Sequence, residues 1–253
     1  MTLLRSVSMF TLVPVRADPE LAPGEGISAL LWLPLVGGLT GAVAALPLVA
    51  IRHWAPHAAL LGAVLAVATL AGLTRCLHLD GLADTADGLG SRAPAERALE
   101  IMRRSDIGPF GVVALVLVLG VDIAALDATR DDAWAPVAAL AVAATTARVG
   151  AVAAAVRGVP AARASGFGAL VADGLSPIAV LAWLVAALGL GAALAVAVGV
   201  PVGWIVVPQA VALLFAYLVR RHVVRRLGGV TGDVFGAVIE AATAVALIGM
   251  ALR

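Results

Sequence analysis

The chain has 253 residues, of which 62% are hydrophobic and only 13% are charged, and its mean hydropathy is +1.06. A soluble domain usually has about a quarter of its residues charged, so this composition excludes an ordinary soluble protein and indicates a surface covered mostly by lipid. The net charge of +1 gives no indication of nucleic-acid binding. The 17 strongly basic residues are all arginines. The lack of lysine excludes a Walker A loop, Schiff-base chemistry and a lysine general base.

Seven stretches are apolar over the roughly 20 residues that a helix needs to cross a bilayer. They predict an all-α, polytopic transmembrane helix bundle that forms a single integral membrane domain over residues 1–253. Glycines in the first stretch, such as Gly37, Gly38 and Gly41, are expected to allow close helix packing in lipid. The predicted spans are 27–51, 55–77, 108–126, 133–156, 177–199, 202–219 and 235–252.

The distribution of the arginines predicts the orientation of the bundle. With a cytoplasmic N-terminus, twelve arginines face the cytoplasm and three face the other side, as the positive-inside rule requires. The long polar segments 78–107, 157–176 and 220–233 then all lie on the cytoplasmic side. The twelve are Arg5, Arg16, Arg92, Arg97, Arg103, Arg104, Arg157, Arg163, Arg220, Arg221, Arg225 and Arg226. The three are Arg52, Arg130 and Arg253, whereas Arg75 and Arg148 fall within spans or at their ends.

The first polar segment opens with LHLDGLADTADGLGS, in which Asp80, Asp84 and Asp87 are spaced i, i+4 and i+7. On a helix with about 100° per residue these carboxylates lie within a stripe of about 60°. Like charges this close repel each other, so a hard divalent cation, Mg²⁺ or Mn²⁺, is their natural partner. The alternative is a solvated acidic face. Gly81 and Gly88 lower the helix propensity, so turns are expected at one or both ends.

Polar residues around this motif extend the candidate site. His78 is either a base or ligand, or a plain hydrogen-bonding histidine. A short helix that follows ends in Arg103 and Arg104, which either clamp phosphate oxygens or only complete the topology and the helix dipole. Ser105 or Asp106 is expected to cap the next span.

A second acidic segment, GGVTGDVFGAVIE, lies near the C-terminus, where Asp233 and Glu240 share a helix face at i, i+7. Thr231 and the glycines form a turn that could approach phosphate, and Arg225 and Arg226 precede it. Since topology places both acidic segments at one membrane face, Asp233 is expected to approach the first motif and share its metal or substrate phosphates. The alternative is a helix cap with a salt bridge in the bundle.

These segments resemble the signatures of the cobalamin-5′-phosphate synthase family, also called adenosylcobinamide-GDP ribazoletransferase. The resemblance rests on LHLDGLADTADGL (77–89), ERALEIMRRSDIGPFGVVALVL (96–117) and GGVTGDVFGAVIE (228–240), with FTLVPV (10–15) and ARASGFG (162–168) as further similar features. It implies a multi-pass helical enzyme of the inner membrane that uses Mg²⁺. Such an enzyme joins adenosylcobinamide-GDP to α-ribazole or α-ribazole 5′-phosphate and releases GMP. Family members often have lysine at the position of Arg103, so the positive charge is retained.

The residues and the resemblance together predict the roles within the site. The predicted catalytic residues are Asp80, Asp84, Asp87 and His78, and the predicted metal ligands are Asp80, Asp84, Asp87 and Asp233. The predicted substrate-binding residues are Arg103, Arg104, Asp106, Arg148, Arg163, Arg225, Arg226, Thr231, Asp233 and Glu240. The expected partners are the two substrates and the lipid bilayer, with no nucleic acid. A homo-oligomer or an association with other enzymes of cobalamin assembly is left open.

Two alternatives come from other functional classes. A CDP-alcohol phosphotransferase also has membrane helices and clustered aspartates, but its signature has Ala-Arg after the first Asp-Gly pair, whereas here Ala83 is followed by Asp84. An ion-coupled transporter usually places its acids near the midplane at broken helices, whereas most acids here cluster at one membrane face. An assay for GMP release separates these classes.

Overall fold

The computed structural model describes residues 2–15, 24–129 and 135–252. Some positions used above lie outside these ranges, namely Arg16, Arg130, Arg253 and the start of the fourth predicted span at 133–134. The helices are α1 (Thr2–Phe10), α2 (Glu25–Trp54), α3 (Ala59–Leu73, preceded by a 3₁₀ turn at Pro56–Ala58), α4 (Leu77–Gly90), α5 (Ala95–Ile101), α6 (Pro109–Asp127), α7 (Ala135–Ala154), α8 (Phe167–Val171), α9 (Pro177–Ala197), α10 (Gly203–Leu227) and α11 (Gly232–Ala251).

Seven helices of the described chain, α2, α3 with its 3₁₀ turn, α6, α7, α9, α10 and α11, are long and apolar enough to cross a membrane. The prediction of a helical, seven-span membrane protein is therefore confirmed, and the protein is a multi-pass membrane protein. The cytoplasmic position of the N-terminus stays a prediction.

The two largest differences from the predicted span ends are at the ends of the second and sixth spans. The second span ends at Leu73 rather than at residue 77, because Arg75 and Cys76 adopt left-handed backbone conformations with φ of 54° and 56°, which a right-handed helix does not accommodate. The sixth span continues as α10 to Leu227, although 220–233 was expected to be a polar segment. Arginine is a good helix former whose long side chain carries its charge towards water, so a run of arginines extends the helix beyond the apolar region.

Helix α7 is the centre of the bundle. Of the residues in its apolar stretch 89% are buried, whereas only 22% are buried in the corresponding stretches of α6 and α9. It packs along α2, and the glycines of α2 that were predicted to allow close packing lie against α7. A Cβ atom added to Gly41 would lie 2.6 Å from the carbonyl oxygen of Leu140. The two backbones therefore approach as closely as packing in lipid favours.

The connections between alternate spans meet at one end of the bundle. The amide of Ala162, in the α7–α9 connection, donates a 2.9 Å hydrogen bond to the carbonyl of Val230, in the α10–α11 connection. Helix α4, in the α3–α6 connection, packs against the start of α11. The three predicted polar segments therefore contribute to one face, where the candidate site lies.

Candidate active site

The acidic motif forms a short helix, α4, that is continuous from Leu77 to Gly90. The turns expected around Gly81 and Gly88 are absent from this described segment because both glycines serve close packing. A Cβ atom on Gly81 would lie 2.6 Å from the carbonyl oxygen of Asp233, and one on Gly88 would lie 2.5 Å from the Met102 side chain. Helix α4 is thus fixed by its neighbours in spite of its low propensity.

Asp233 meets the acidic helix at this crossing, so the predicted approach is observed, whereas a shared metal or phosphate stays a prediction. Thr231 is the N-cap of α11, since its hydroxyl oxygen accepts a hydrogen bond from the Val234 amide at 3.4 Å. The same hydroxyl donates to the Asp233 carboxylate at 3.1 Å. A Cβ atom on Gly236 would lie 2.8 Å from the carbonyl oxygen of His78. The first turn of α11 therefore carries Asp233 directly against α4.

Arg163 joins three parts of this face. Its guanidinium lies 3.5 Å from the Asp233 carboxylate through Nη1 and donates through Nη2 to the Leu99 carbonyl of α5 at 2.7 Å. The loop that carries it is held by two hydrogen bonds of 2.9 Å, from Ala162 to Val230 and from Val230 to Pro160. The backbone and the ion pair together hold the charge of Arg163 beside the acidic residues.

The raised pKa of Asp84 indicates an excess of negative charge in this region. Burial, and then the carboxylates of Asp233, Asp80 and Asp87, raise its pKa to about 7, and the positive charge of Arg163 offsets only part of this effect. A carboxyl group with such a pKa is costly to ionise among its neighbours. A bound cation would remove this cost.

The residues at this crossing fit a magnesium ion in their chemistry. Asp80, Asp84 and Asp233 supply the hard carboxylate oxygens that Mg²⁺ prefers. In the part of the chain that the structure describes, no three acidic, histidine or cysteine side chains are already gathered at metal-binding distance. An ion would therefore have to draw these three carboxylates together.

Asp87 has a different partner. Its two carboxylate oxygens accept hydrogen bonds from the amides of Gly108, at 2.7 Å, and Gly111, at 2.9 Å. These amides belong to the start of α6, where a helix leaves its first N–H groups unpaired. The expectation that Ser105 or Asp106 caps this span was therefore wrong. The cap comes from another helix, because Asp87 is packed over the α6 N-terminus.

A cavity of about 380 Å³ opens beside Asp80 and Asp233. Arg163, Ser165 and Thr231 add further polar groups to its lining. The apolar part of the lining is formed by Phe10, Leu30, Leu33, Phe167, Phe235 and Ile239. The cavity therefore suits a molecule that has both apolar and polar groups.

His78 lines the same cavity and is only 2% exposed. Among the described residues neither of its ring nitrogens has a hydrogen-bond partner. Burial, and secondarily the charge of Arg148, lower its pKa well below the ordinary value of 6.5, so the imidazole is neutral. A neutral imidazole can donate one hydrogen bond and accept one.

The remaining predicted residues divide into three groups. Arg104 and Asp106 line a separate cavity of about 210 Å³ next to Asp87. Arg103 and Arg225 are exposed. The third group is held inside the protein: Arg226 donates to the Ala93 carbonyl, Arg148 donates to the Ala144 carbonyl, and Glu240 lines a small internal cavity with Asp122. None of these residues lines the 380 Å³ cavity within the described chain.

Four lining residues of the cavity were not predicted from the sequence, namely Ser165, Phe10, Phe167 and Phe235. They come from separate parts of the chain, so no spacing rule connects them. Phe10 and Phe167 do fall in two of the segments that resemble family features, FTLVPV and ARASGFG. The position of Phe10 and Phe167 in these two segments was therefore the one indication in the sequence that they belong to the site.

Comparison with known proteins gives a family match over nearly the whole chain. The family model described as cobalamin-5-phosphate synthase matches residues 2–251. Three relatives carry the name adenosylcobinamide-GDP ribazoletransferase, and each is 38% identical to this chain: one from Frankia casuarinae (97% of this chain, 92% of the relative), one from a Nocardioides species (98% and 97%) and one from Bradyrhizobium diazoefficiens (96% and 90%). No solved structure matches the chain.

Proposed function

The chain belongs to the cobalamin-5-phosphate synthase family, and on this premise we propose that it joins adenosylcobinamide-GDP to α-ribazole, or to its 5′-phosphate, with release of GMP. The observation that carries this proposal is that Asp80, Asp233 and Arg163 line one cavity. Family membership favours this reaction over the CDP-alcohol phosphotransferase and transporter alternatives.

The proposed reaction is a phosphoryl transfer between two oxygens. A ribose hydroxyl of the acceptor attacks the phosphorus atom that is bonded to the cobinamide side chain, and a new P–O bond forms. The bond from this phosphorus to the bridging oxygen breaks, and that oxygen leaves with the electron pair as part of GMP. Such a step requires mainly the positioning of the reactants and the neutralisation of charge.

Arg163 would bind the pyrophosphate of the donor, because a guanidinium matches phosphate oxygens in shape and charge. We assign the Mg²⁺ ligands to Asp80, Asp84 and Asp233, whereas Asp87 uses both of its oxygens at the start of α6. When bound, Mg²⁺ neutralises charge on the pyrophosphate and on the departing phosphate.

The proton of the attacking hydroxyl must pass to a group at the cavity. His78 is a poor acceptor, since burial lowers its pKa. Asp233 already accepts a hydrogen bond from Thr231 and lies beside Arg163. Asp80 is exposed and lines the cavity, and we assign the proton to the oxygen of its carboxylate that a bound ion would leave free.

The proposed location is the inner membrane, with the site open to the cytoplasm. The support is the arginine distribution, which favours a cytoplasmic position for the face that carries α4 and the loop of Arg163.

The test is an assay of purified protein in liposomes with adenosylcobinamide-GDP, α-ribazole and Mg²⁺. We expect GMP and the cobalamin product in equal amounts. Arg163→Gln should lose at least about tenfold in kcat/KM, because it removes a charged hydrogen-bond donor from the site. Arg97→Gln is the matched control, because the Arg97–Glu100 ion pair is more than half exposed on both sides and contributes little. Absence of GMP with the wild-type protein would overturn the proposal.

A further inference from the structure

The 380 Å³ cavity has an aromatic wall. The rings of Phe10 and Phe167 meet edge to face, with centroids 5.6 Å apart and planes at 84°. Phe167 and Phe235 meet in the same way at 6.0 Å and 78°. All three side chains line the cavity. Aromatic rings pack favourably against further aromatic rings, so this wall suits a flat aromatic ligand.

His78 stands next to this wall, with its ring centroid 6.4 Å from that of Phe10. A buried polar group without a partner destabilises the folded protein. The imidazole lines the cavity and has no hydrogen-bond partner in the described chain. A ligand with a nitrogen acceptor at the aromatic wall would satisfy it.

The size of the cavity limits its occupant. At about 380 Å³ it lies near the lower end of ligand cavities, which span about 300–1,000 Å³. This volume accommodates a nucleoside, but not a corrin macrocycle that carries a nucleotide. The donor substrate of the proposed reaction is therefore too large for it, whereas the acceptor is not.

We infer that this cavity is the acceptor subsite, in which the benzimidazole of α-ribazole packs against Phe10, Phe167 and Phe235 and accepts a hydrogen bond from His78. This inference rests on the proposed function. The ribose then lies towards Asp80 and Asp233, where a hydroxyl can be deprotonated, and the corrinoid remains outside the cavity on the polar face. His78 is a binding residue in this arrangement and not the general base.

The first experiment measures binding of α-ribazole alone, without Mg²⁺ and without the donor, to the full-length protein in nanodiscs. We expect saturable binding to the wild-type protein and about tenfold weaker binding to Phe167→Leu, which loses the ring but keeps an apolar side chain. Phe215→Leu is the matched control, since Phe215 lies exposed on α10. A lipid chain as the true occupant would leave no saturable binding of α-ribazole, and this result would overturn the inference.

The second experiment tests His78 through its hydrogen bond. An analogue of α-ribazole with an indole in place of the benzimidazole lacks the acceptor nitrogen. We expect the wild-type protein to bind α-ribazole at least about fivefold more tightly than the indole analogue, as for a hydrogen bond of about 1 kcal/mol. His78→Phe should lose this preference. A merely structural histidine would leave the preference unchanged in the variant, and that outcome would contradict the inference.

Steady-state kinetics separate the inference from the proposed function. In Phe167→Leu we expect the KM for α-ribazole to rise about tenfold while the KM for adenosylcobinamide-GDP stays constant. A rise in the donor KM instead would overturn the acceptor subsite and leave the reaction in place. A wild-type protein that binds α-ribazole but releases no GMP would overturn the reaction and leave the subsite.

Discussion

Asp87 and Gly108 are joined by a 2.7 Å hydrogen bond that runs from the amide at the start of α6 to the carboxylate of the acidic helix α4. The second oxygen of the same carboxylate accepts the amide of Gly111. One of the three aspartates in the motif therefore holds two helices together, while Asp80 lies at the cavity. The three residues lie on one helix, but the carboxylate of Asp87 has a structural role that the carboxylate of Asp80 does not have.

Replacement of Asp87 by Asn should destabilise the protein. An amide side chain has one acceptor oxygen instead of two and no charge, so one N–H group of α6 loses its partner. We expect a loss of about 1–3 kcal/mol, measured as a lower melting temperature in detergent. Asp80→Asn is the control, since Asp80 is exposed and its replacement should not lower the melting temperature. Equal melting temperatures for both variants would contradict the capping role.

Replacement of Gly81 by Ala should force α4 away from α11. The added methyl group would lie 2.6 Å from the Asp233 carbonyl oxygen, which is backbone and cannot move aside easily. We expect GMP release to fall more than about tenfold, because a displacement near 1 Å misaligns the reacting groups. Gly120→Ala is the control, since nothing lies within 4 Å of the added atom. Normal activity of Gly81→Ala would show that this crossing does not position the site.

The stability contribution of Asp84 should depend on pH. Its pKa is raised from 3.8 to about 7 in the folded protein, so between these values the folded state binds more protons than the unfolded state. The wild-type protein therefore loses stability from this group as the pH rises through that window. We expect Asp84→Asn to melt at a higher temperature, relative to the wild type, at pH 8 than at pH 5. A constant difference would contradict the raised pKa.

Magnesium should offset the loss of stability that ionised Asp84 causes at high pH. At pH 8, addition of Mg²⁺ should raise the melting temperature of the wild-type protein, because an ion that binds only the folded state stabilises it. Asp84→Asn should lose most of this increase. The control is Asp127→Asn, at the other end of α6, which should respond as the wild type does. An equal response in all three proteins would exclude Asp84 as a ligand.

The native cysteine tests the predicted orientation. Cys76 is the one cysteine of the chain, is exposed and lies between α3 and α4, on the face of the site. A membrane-impermeant maleimide should label it in inverted vesicles but not in intact spheroplasts. His57→Cys, made with Cys76→Ala, is the control on the opposite side and should show the reverse pattern. Labelling of Cys76 in spheroplasts would contradict a cytoplasmic site.

Much of this arrangement follows from local patterns in the sequence. Length and hydropathy are sufficient to predict the seven spans. The bilayer has a fixed thickness, which sets the length of a spanning helix, and it admits few kinds of backbone structure. The meeting of Asp233 with α4 follows from alternation of the spans, which brings both to one face.

The partner that a side chain contacts on another helix does not follow from such patterns. The period of a helix places Asp80, Asp84 and Asp87 on one stripe, but it does not reveal that amides from α6 lie beside Asp87. For the same reason Phe10, Phe167 and Phe235 could not be grouped. Their contact depends on how α1, α8 and α11 pack.

The packing of α11 has a consequence for biogenesis. This helix follows all the other described helices in the sequence, yet it lies against the central helix α7 and carries Asp233 to α4. During synthesis, the earlier spans leave the ribosome before the residues that complete their centre. Until α11 arrives, α7 holds Arg148 in the bilayer without its final neighbours, which favours transient protection by the insertion machinery or by lipid headgroups. We therefore expect the candidate site to assemble only after α11 has been synthesised.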